Sequence, residues 1–371
     1  MKGNEDMAFG YCSGSIKCHT ESEKHFSSID GMVVRFLLSL VCLLFVACAG
    51  RNGNGGEMSD SGLHFPDSMD VKWTYVTGDD MMPNPRCFAV DDSCVYVLGD
   101  AGGRSLFVYN ITTGEEIGSY IDRRSHIGEL TNPYGLSIDR STGDFGVLNL
   151  GMTDRFLVRY SPEYEPKALY RVDSVFPIND IVLAPDDHVI AVSLVYENGE
   201  PTGRQAVSLL DVADGVTLIG SCDELLPVIP KGLGREISVS GSGKRVASII
   251  RNSGILETYE ITGDSISRTS HNNYFPIEVS DDGIAHVNHN IQYGFRCIAA
   301  SDDYVYAVYS ESKVEGDPVT TVGVWDWNGN PVKKIKTDKN VSDICVSPDG
   351  SRLYCTSKFR SSICTINYID L

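Results

Sequence analysis

The chain has 371 residues, of which 42% are hydrophobic and 22% are charged, and it contains 36 Gly and 18 Tyr. This composition argues against intrinsic disorder and suits a turn-rich globular protein. The formal net charge is −19 at pH 7, and no run of Lys or Arg is interleaved with aromatic residues, which excludes nucleic acid as a predicted partner.

The first predicted element is a secretion signal. A single positive charge, Arg35, precedes a short apolar run from Phe36 to Ala47. A transmembrane helix needs about 20 apolar residues, so this shorter run predicts a signal peptide over residues 32–47. The phrase Phe45-Val-Ala-Cys48 resembles the lipobox of bacterial lipoproteins, although Phe45 stands where Leu is usual. The resemblance implies cleavage before Cys48 and lipidation of its thiol, with a plain cleaved signal or a buried helix as the alternatives.

The segments on either side of the signal differ in composition. Residues 1–31 are polar and stand upstream of the signal, so we expect a doubtful leader and Met32 as the true first residue. Residues 48–70 include a Gly-rich stretch at 50–56 and are predicted to form a flexible tether. Residues 71–371 are predicted to form the folded domain.

From residue 71 onward the chain repeats one pattern, which consists of a short apolar strand, a tight polar turn and a second strand rich in β-branched and aromatic residues. Copies spaced roughly 45 to 60 residues apart indicate a propeller or a solenoid. The six copies begin at Cys87, Gly135, Asp180, Glu236, Cys297 and Asp343. Two more strand-like runs follow most copies, and four short strands make one propeller blade. Because helical periodicity is absent after the signal, the sequence predicts an all-β protein, a β-propeller of six four-stranded blades.

Two irregularities bear on the ring. Residues 276–288 add a strand, a turn and a strand between the fourth and fifth copies, which leaves a seventh, reduced blade as an alternative. The last copy has three strands before the sequence ends at Leu371. Because a propeller must close, residues 71–76, which include Trp73, are predicted to supply the missing outer strand.

Three phrases in the last quarter of the chain carry a family resemblance. They are Tyr293-Gly-Phe, the run Asp302–Ser310 and the run Val324–Val332. Together with the layout of residues 71–371, they resemble the TolB-like six-bladed propeller lipoproteins of Gram-negative bacteria, although Glu311 stands where that family tends to have Gly. The resemblance implies a propeller in the cell envelope, lipid-anchored in the outer membrane, with no assigned catalytic residue and no cofactor.

The aligned copies also predict a candidate site. The innermost strand of a blade lines the central channel of a propeller, and the residues at its start lie at one mouth of that channel. A concave mouth with convergent polar groups is the usual place for a ligand. The predicted ligand-binding residues are Arg86, Tyr134, Asn179, Asp180, Arg235, Glu236, Arg296 and Asp343.

Three interpretations of this ring remain open. In the first, the arginines and acids pair between adjacent blades and only stabilise the ring. In the second, Arg86, Arg235 and Arg296 bind a carboxylate or another anion. In the third, the acids and Asn179 hold calcium in a hydrolase of lactonase type. The leading hypothesis is a membrane-anchored binding or scaffolding module for a polar ligand or a partner protein, with no catalytic residue, cofactor or metal site.

The cysteines and a few short motifs have simpler interpretations. Of the 11 cysteines, the seven in the folded part are Cys87, Cys94, Cys222, Cys297, Cys345, Cys355 and Cys364. Several lie in strand patterns, so a packing role is favoured over a disulfide. The sequence contains no Cys-x-x-Cys pair, which makes metal binding by these cysteines the least favoured role. Residues 241–244 (GSGK) predict a hairpin turn rather than a phosphate loop, and Trp325 and Trp327 predict packing between blades rather than sugar stacking.

Overall fold

The computed structural model describes residues 63–78, 85–122, 124–125, 128–151, 155–171, 178–198, 200–213, 216–223, 234–275, 278–279, 285–286, 294–310, 318–359 and 363–371. The predicted leader, the signal, Cys48 and most of the predicted tether lie outside these residues. Within them, no helix has the length and apolarity to cross a membrane.

The first half of the described chain forms three blades. Two strands come first, β1 (Asp67–Val71) and β2 (Thr74–Thr77). Blade 1 consists of β3 (Cys87–Val90), β4 (Cys94–Ala101), β5 (Arg104–Asn110) and β6 (Glu116–Asp122), and it is followed by the short pair β7 (Arg124–Ser125) and β8 (Gly128–Glu129). Blade 2 consists of β9 (Pro133–Asp139), β10 (Asp144–Leu150), β11 (Arg155–Tyr160) and β12 (Pro166–Arg171). Blade 3 consists of β13 (Ile178–Leu183), β14 (His188–Glu197), β15 (Glu200–Asp211) and β16 (Thr217–Asp223).

Three more blades complete the fold. Blade 4 consists of β17 (Arg235–Val239), β18 (Arg245–Ile250), β19 (Ile255–Thr262) and β20 (Ser265–Asn273), and it is followed by the pair β21 (Glu278–Val279) and β22 (Ala285–His286). Blade 5 consists of β23 (Gly294–Ala300), β24 (Val305–Ser310), β25 (Thr321–Trp325) and β26 (Pro331–Thr337). Blade 6 contains β27 (Asp343–Val346), β28 (Arg352–Phe359) and β29 (Ile363–Asp370).

Each blade is an antiparallel meander that begins at its innermost strand, and polar side chains at the first turn fix its geometry. In blade 1, Asp91 Oδ1 accepts the backbone N–H of Cys94 at 2.7 Å. In blade 5 the hydroxyl of Ser301 accepts the backbone N–H of Tyr304 at 3.0 Å. In blade 6 the hydroxyl of Ser347 accepts the backbone N–H of Arg352 at 2.9 Å. Asp and Ser favour tight turns because their side chains bond nearby backbone groups, and these turns repeat the sequence pattern that predicts the blades.

The structure confirms six blades and an all-β fold. In the extra run between the fourth and fifth copies, the described residues form the two-residue strands β21 and β22, which pair Glu278 with His286. They make a separate two-stranded ladder, and the described strands form six blades without a seventh.

The N-terminal strand closes the ring, as predicted. Strand β2 pairs antiparallel with β29, with Thr74 opposite Tyr368, and so becomes the outer strand of blade 6. Its bounds differ from the prediction because Val71 belongs to β1, which pairs in parallel with β26 and adds a fifth strand to blade 5. Between the two strands Trp73 is buried, and its backbone N–H donates to Asp338 Oδ1 at 3.3 Å. The start of the folded chain thus joins blades 5 and 6.

The hydrophobic core of the described residues is divided among the junctions between blades. One cluster, for example, packs Val97 and Phe107 of blade 1 against Tyr354 of blade 6. Another packs Leu256 of blade 4 against Trp325 and Trp327 of blade 5. Both tryptophans are buried, which confirms that they pack between blades.

Hydrogen bonds also join the inner strands of neighbouring blades. At the junction of blades 1 and 2, the Cys87 thiol donates to the carbonyl of Tyr134 at 3.4 Å. At the next two junctions Ser137 accepts the N–H of Leu183 at 3.1 Å and Asp180 accepts the N–H of Ile237 at 3.1 Å. At the junction of blades 4 and 5 the backbone N–H of Asn252 donates to the carbonyl of Phe295 at 2.8 Å. Hydrogen bonds among the described residues therefore join blades 1 to 5 in sequence close to the channel.

The closing segment yields a stability prediction. A chain that begins at Gly78 lacks β1, β2 and Trp73, so it should melt well below one that begins at Asp60. Trp73→Ala in the longer chain should lower the free energy of unfolding by about 3 to 5 kcal/mol, because it empties a buried aromatic site. Tyr75→Ala is the matched control, since Tyr75 lies in the same segment but is 56% exposed. Equal melting temperatures for the two chain lengths would show that the ring closes without this segment.

Candidate binding site

The six inner strands surround a cavity of about 1620 Å³. Of the eight residues predicted to bind a ligand, seven line it: Arg86, Tyr134, Asp180, Arg235, Glu236, Arg296 and Asp343. Asn179 belongs to β13, but its side chain lies outside the described part of the structure. The structure therefore brings the aligned positions of the repeat together around one cavity.

Arg235 borders the cavity, yet its guanidinium group is bonded inside blade 4. It forms a buried ion pair with Glu257 and donates to the hydroxyl of Ser248 at 3.1 Å. Arg235 is 2% exposed and Glu257 is completely buried. Burial alone would raise the pKa of Glu257, but hydrogen bonds from His271 and Arg235 and the arginine charge bring that pKa far below its usual value. Arg235 thus stabilises blade 4, and its guanidinium is not offered to the channel.

Arg86 and Arg296 have a different environment. Arg86 is exposed and donates to the amide oxygen of Asn132. Arg296 is half-buried and donates to the amide oxygen of Asn252 at 2.5 Å. Within the part of the chain that the structure describes, neither guanidinium forms an ion pair, so a neutral amide orients each cation and leaves its charge uncompensated.

The asparagine beside Arg86 is itself held in place. Asn132 Nδ2 donates to the carbonyl of Leu150 at 2.9 Å, and its backbone N–H donates to the buried Asn149 at 2.8 Å. Because the amide nitrogen is bonded to a carbonyl, the amide oxygen must face Arg86. The orientation of this cation therefore follows from a chain of bonds that begins inside blade 2.

Sequence analysis missed a third cation, Arg251. It follows β18, lines the cavity and forms an ion pair with Glu236. Its backbone N–H donates to the carbonyl of Gly234, so it stands beside the start of the inner strand. The repeat could have shown this residue. In a hairpin, the second strand ends at the same mouth at which the first strand begins, and Arg251 follows the second strand of its blade. Burial and the nearby charge of Arg251 lower the pKa of Arg296.

The predicted acids are bonded to the protein itself. Asp180 accepts the N–H of Ile181 at 2.9 Å and that of Ile237 at 3.1 Å, one on each carboxylate oxygen. Burial raises the pKa of Asp180 to about 6, although these two bonds and the charge of Arg251 oppose the rise. Asp343 Oδ1 accepts the N–H of Ile344 at 2.9 Å. Asp180 thus connects the inner strands of blades 3 and 4.

This donor set does not fit a calcium site. Calcium takes six to eight oxygen ligands, usually with several carboxylates converging on one point. Among the described residues, no three His, Cys, Asp or Glu side chains converge in a way that would hold a metal ion. Asp180 is occupied by backbone N–H groups and Glu236 by Arg251. We therefore derive no calcium-dependent step for this chain.

The cysteines follow the packing prediction. The six with described side chains are free thiols. Cys87, Cys297 and Cys345 line the cavity, and the Cys87 thiol donates to the carbonyl of Tyr134 at 3.4 Å. Burial raises the pKa of Cys345 to about 11, and burial also raises the pKa of Cys87 and Cys297. These thiols are thus protonated structural groups at neutral pH.

At the opposite end of the channel, Arg140 extends from blade 2 to blade 6. It lies at the turn after β9, and its Nη2 donates to the carbonyl of Val346 in blade 6 at 3.2 Å. Burial disfavours ionisation of Asp302 in blade 5, but hydrogen bonds from Ser242 and the charges of nearby arginines, including Arg140, lower its pKa. The predicted hairpin turn at residues 241–244 belongs to this end, where Gly243 has a φ of +71° and donates to Ser240. This end lies opposite the mouth that carries Arg86, Arg251 and Arg296.

Comparison with known proteins supports the fold. The family model of TolB-like six-bladed propellers matches residues 242–349. Together with the six four-stranded blades, this match confirms the resemblance to TolB-like six-bladed propellers that the sequence predicts. No curated protein matches the sequence.

Solved structures show the same architecture at low sequence identity. A protein of Bacteroides fragilis NCTC 9343 that is described as exported is 10% identical, with a TM-score of 0.54 over 82% of this chain and 99% of its own. Regucalcin, a calcium-binding protein of Agrobacterium tumefaciens, is 12% identical, with a TM-score of 0.48 over 82% of this chain and 96% of its own. A gluconolactonase of Xanthomonas campestris is 10% identical, with a TM-score of 0.45 over 86% and 99%. At these identities the likeness concerns the fold alone.

Proposed function

We propose that this chain is a binding propeller that receives an anionic ligand, of which a carboxylate is the simplest form, at the mouth of its channel. The observation that carries the proposal is the state of Arg86 and Arg296. Both line the cavity, and both donate to a neutral asparagine amide instead of a carboxylate. An arginine held in one orientation presents a planar fork of N–H donors that matches a carboxylate.

The remaining groups at the mouth suit this role. Arg251 adds a positive charge next to Arg296, and the pKa of Arg296 is lowered by burial and by that neighbour, so an incoming anion would relieve repulsion between the two. Tyr134, 42% exposed, offers an aromatic surface on the cavity wall. Asp180 and Asp343 accept backbone N–H groups and Glu236 pairs with Arg251, so none of these acids forms an ion pair with Arg86 or Arg296.

The binding test uses purified full-length protein and thermal melting. Carboxylates should raise the melting temperature, because a ligand present at 100 times its Kd stabilises the folded state by about 2.7 kcal/mol. Arg86→Gln and Arg296→Gln should each lose most of this effect. Lys244→Gln is the matched control, since Lys244 is an exposed cation at the opposite end of the ring. A parent protein that no carboxylate stabilises, or equal stabilisation of all variants, would contradict the proposal.

We further propose that the propeller is held in the cell envelope of a Gram-negative bacterium, at the outer membrane, by lipid attached to Cys48. The lipobox-like phrase before Cys48 supports this anchor. Residues 49–62 would then connect the lipid to the ring, because Leu63 and Phe65 already pack against it.

Fractionation of expressing cells tests the anchor. Cys48→Ala should move the protein from the membrane fraction to the soluble fraction. Cys42→Ala, within the apolar run of the signal, is the control and should leave the protein in the membrane fraction. Membrane retention of Cys48→Ala would show that something other than this thiol holds the protein.

A further inference from the structure

The two uncompensated cations stand on blades that are not neighbours. Arg86 precedes β3 of blade 1, and Arg296 lies in β23 of blade 5. The inner strand of blade 6, β27, packs against both β23 and β3 and so separates them. A single carboxylate matches a single guanidinium fork. Contact with both arginines therefore requires two anionic groups in one ligand.

The residues between the two cations determine what can join those groups. Ser342, at the position of blade 6 equivalent to Arg86 and Arg296, is neutral and lines the cavity. Directly after it comes Asp343, whose negative charge raises the pKa of both Cys87 and Cys297 after the larger effect of burial. These cysteines follow Arg86 and Arg296 in the sequence. A negative charge thus lies between the two cations, and it disfavours a third anionic group at the centre of the ligand.

The asparagines fix the orientation of each cation. Asn252 holds Arg296, and Asn252 has a φ of +56° and donates its backbone N–H to Phe295, so its side chain is set by the turn after β18. Asn132 holds Arg86 through the bonds to blade 2 described above. Two oriented cations at a fixed separation favour one ligand length over shorter and longer ones.

We infer that the ligand of this channel is a dicarboxylate, with two terminal carboxylates joined by an uncharged segment that passes over blade 6. One carboxylate contacts Arg86 and the other contacts Arg296, where Arg251 adds positive charge. The inference rests on the proposed function, since it assigns the chemical class of ligand to the same mouth. It goes further by excluding monocarboxylates and tricarboxylates as the preferred ligands.

Calorimetry on the full-length protein at constant ionic strength tests the inference. The probes are butyrate, the straight-chain dicarboxylates from malonate to pimelate, and tricarballylate, which carries a third carboxylate at its centre. One dicarboxylate should bind at least about tenfold more tightly than butyrate and tricarballylate, because it gains a second charge-assisted contact without the central charge. Arg86→Gln and Arg296→Gln should each reduce its affinity to the level of butyrate, while Lys244→Gln should leave the preference unchanged.

A second variant separates a loss of binding from a loss of folding. Asn252→Asp keeps the shape of the side chain but places a carboxylate beside Arg296, so it should abolish the preference for a dicarboxylate without lowering the melting temperature. Equal affinity for butyrate and every dicarboxylate would overturn the inference and leave anion binding in place. Tighter binding of tricarballylate would also overturn it. Binding of none of these probes would overturn both the inference and the proposed function.

Discussion

The fold depends on how a propeller satisfies the free edge of each inner strand. Such a strand pairs with only one strand of its own blade, and an unpaired backbone N–H away from water is costly. In this chain the Cys87 thiol, the Ser137 hydroxyl and the Asp180 carboxylate each bond the backbone of the next blade, and Asn252 bonds Phe295 through the backbone. Asp, Ser and Cys at these positions are therefore structural, and burial keeps the channel thiols protonated.

The same constraint leaves few groups at the mouth for a ligand. Asp180 accepts a backbone N–H from the next blade, and Glu236 forms an ion pair with Arg251. Arg235 forms an ion pair with Glu257 inside blade 4. Arg86 and Arg296 are oriented by neutral amides. A buried ion pair is a costly way to gain stability, but once formed it is costly to break. The ring thus separates its arginines into one structural cation and two that are available to an anion.

The sequence predicts the blades well because the information for them is local. Each copy carries a two-residue period, a turn with Asp or Ser, and a second strand, so the hairpins and their number follow from short segments. The direction of Arg235 could not be predicted in this way, because it depends on Glu257, which lies two strands further along the same blade. Arg251 was missed because the alignment considered only the start of each inner strand. Residues 71–76 are divided between β1 and β2, which belong to different blades. This division depends on the burial site of Trp73, and no local sequence pattern predicts that site.

The central claim is that Arg235 is structural and Arg296 is available to a ligand. It is tested most directly by the free energy of unfolding of Arg235→Met and Arg296→Met in the absence of any ligand. Arg235→Met should cost about 3 kcal/mol, because it removes a buried partner of Glu257. Arg296→Met should cost almost nothing or stabilise the protein, because it removes a cation that Arg251 repels. If Arg296→Met costs as much as Arg235→Met, both arginines are structural and the account is contradicted.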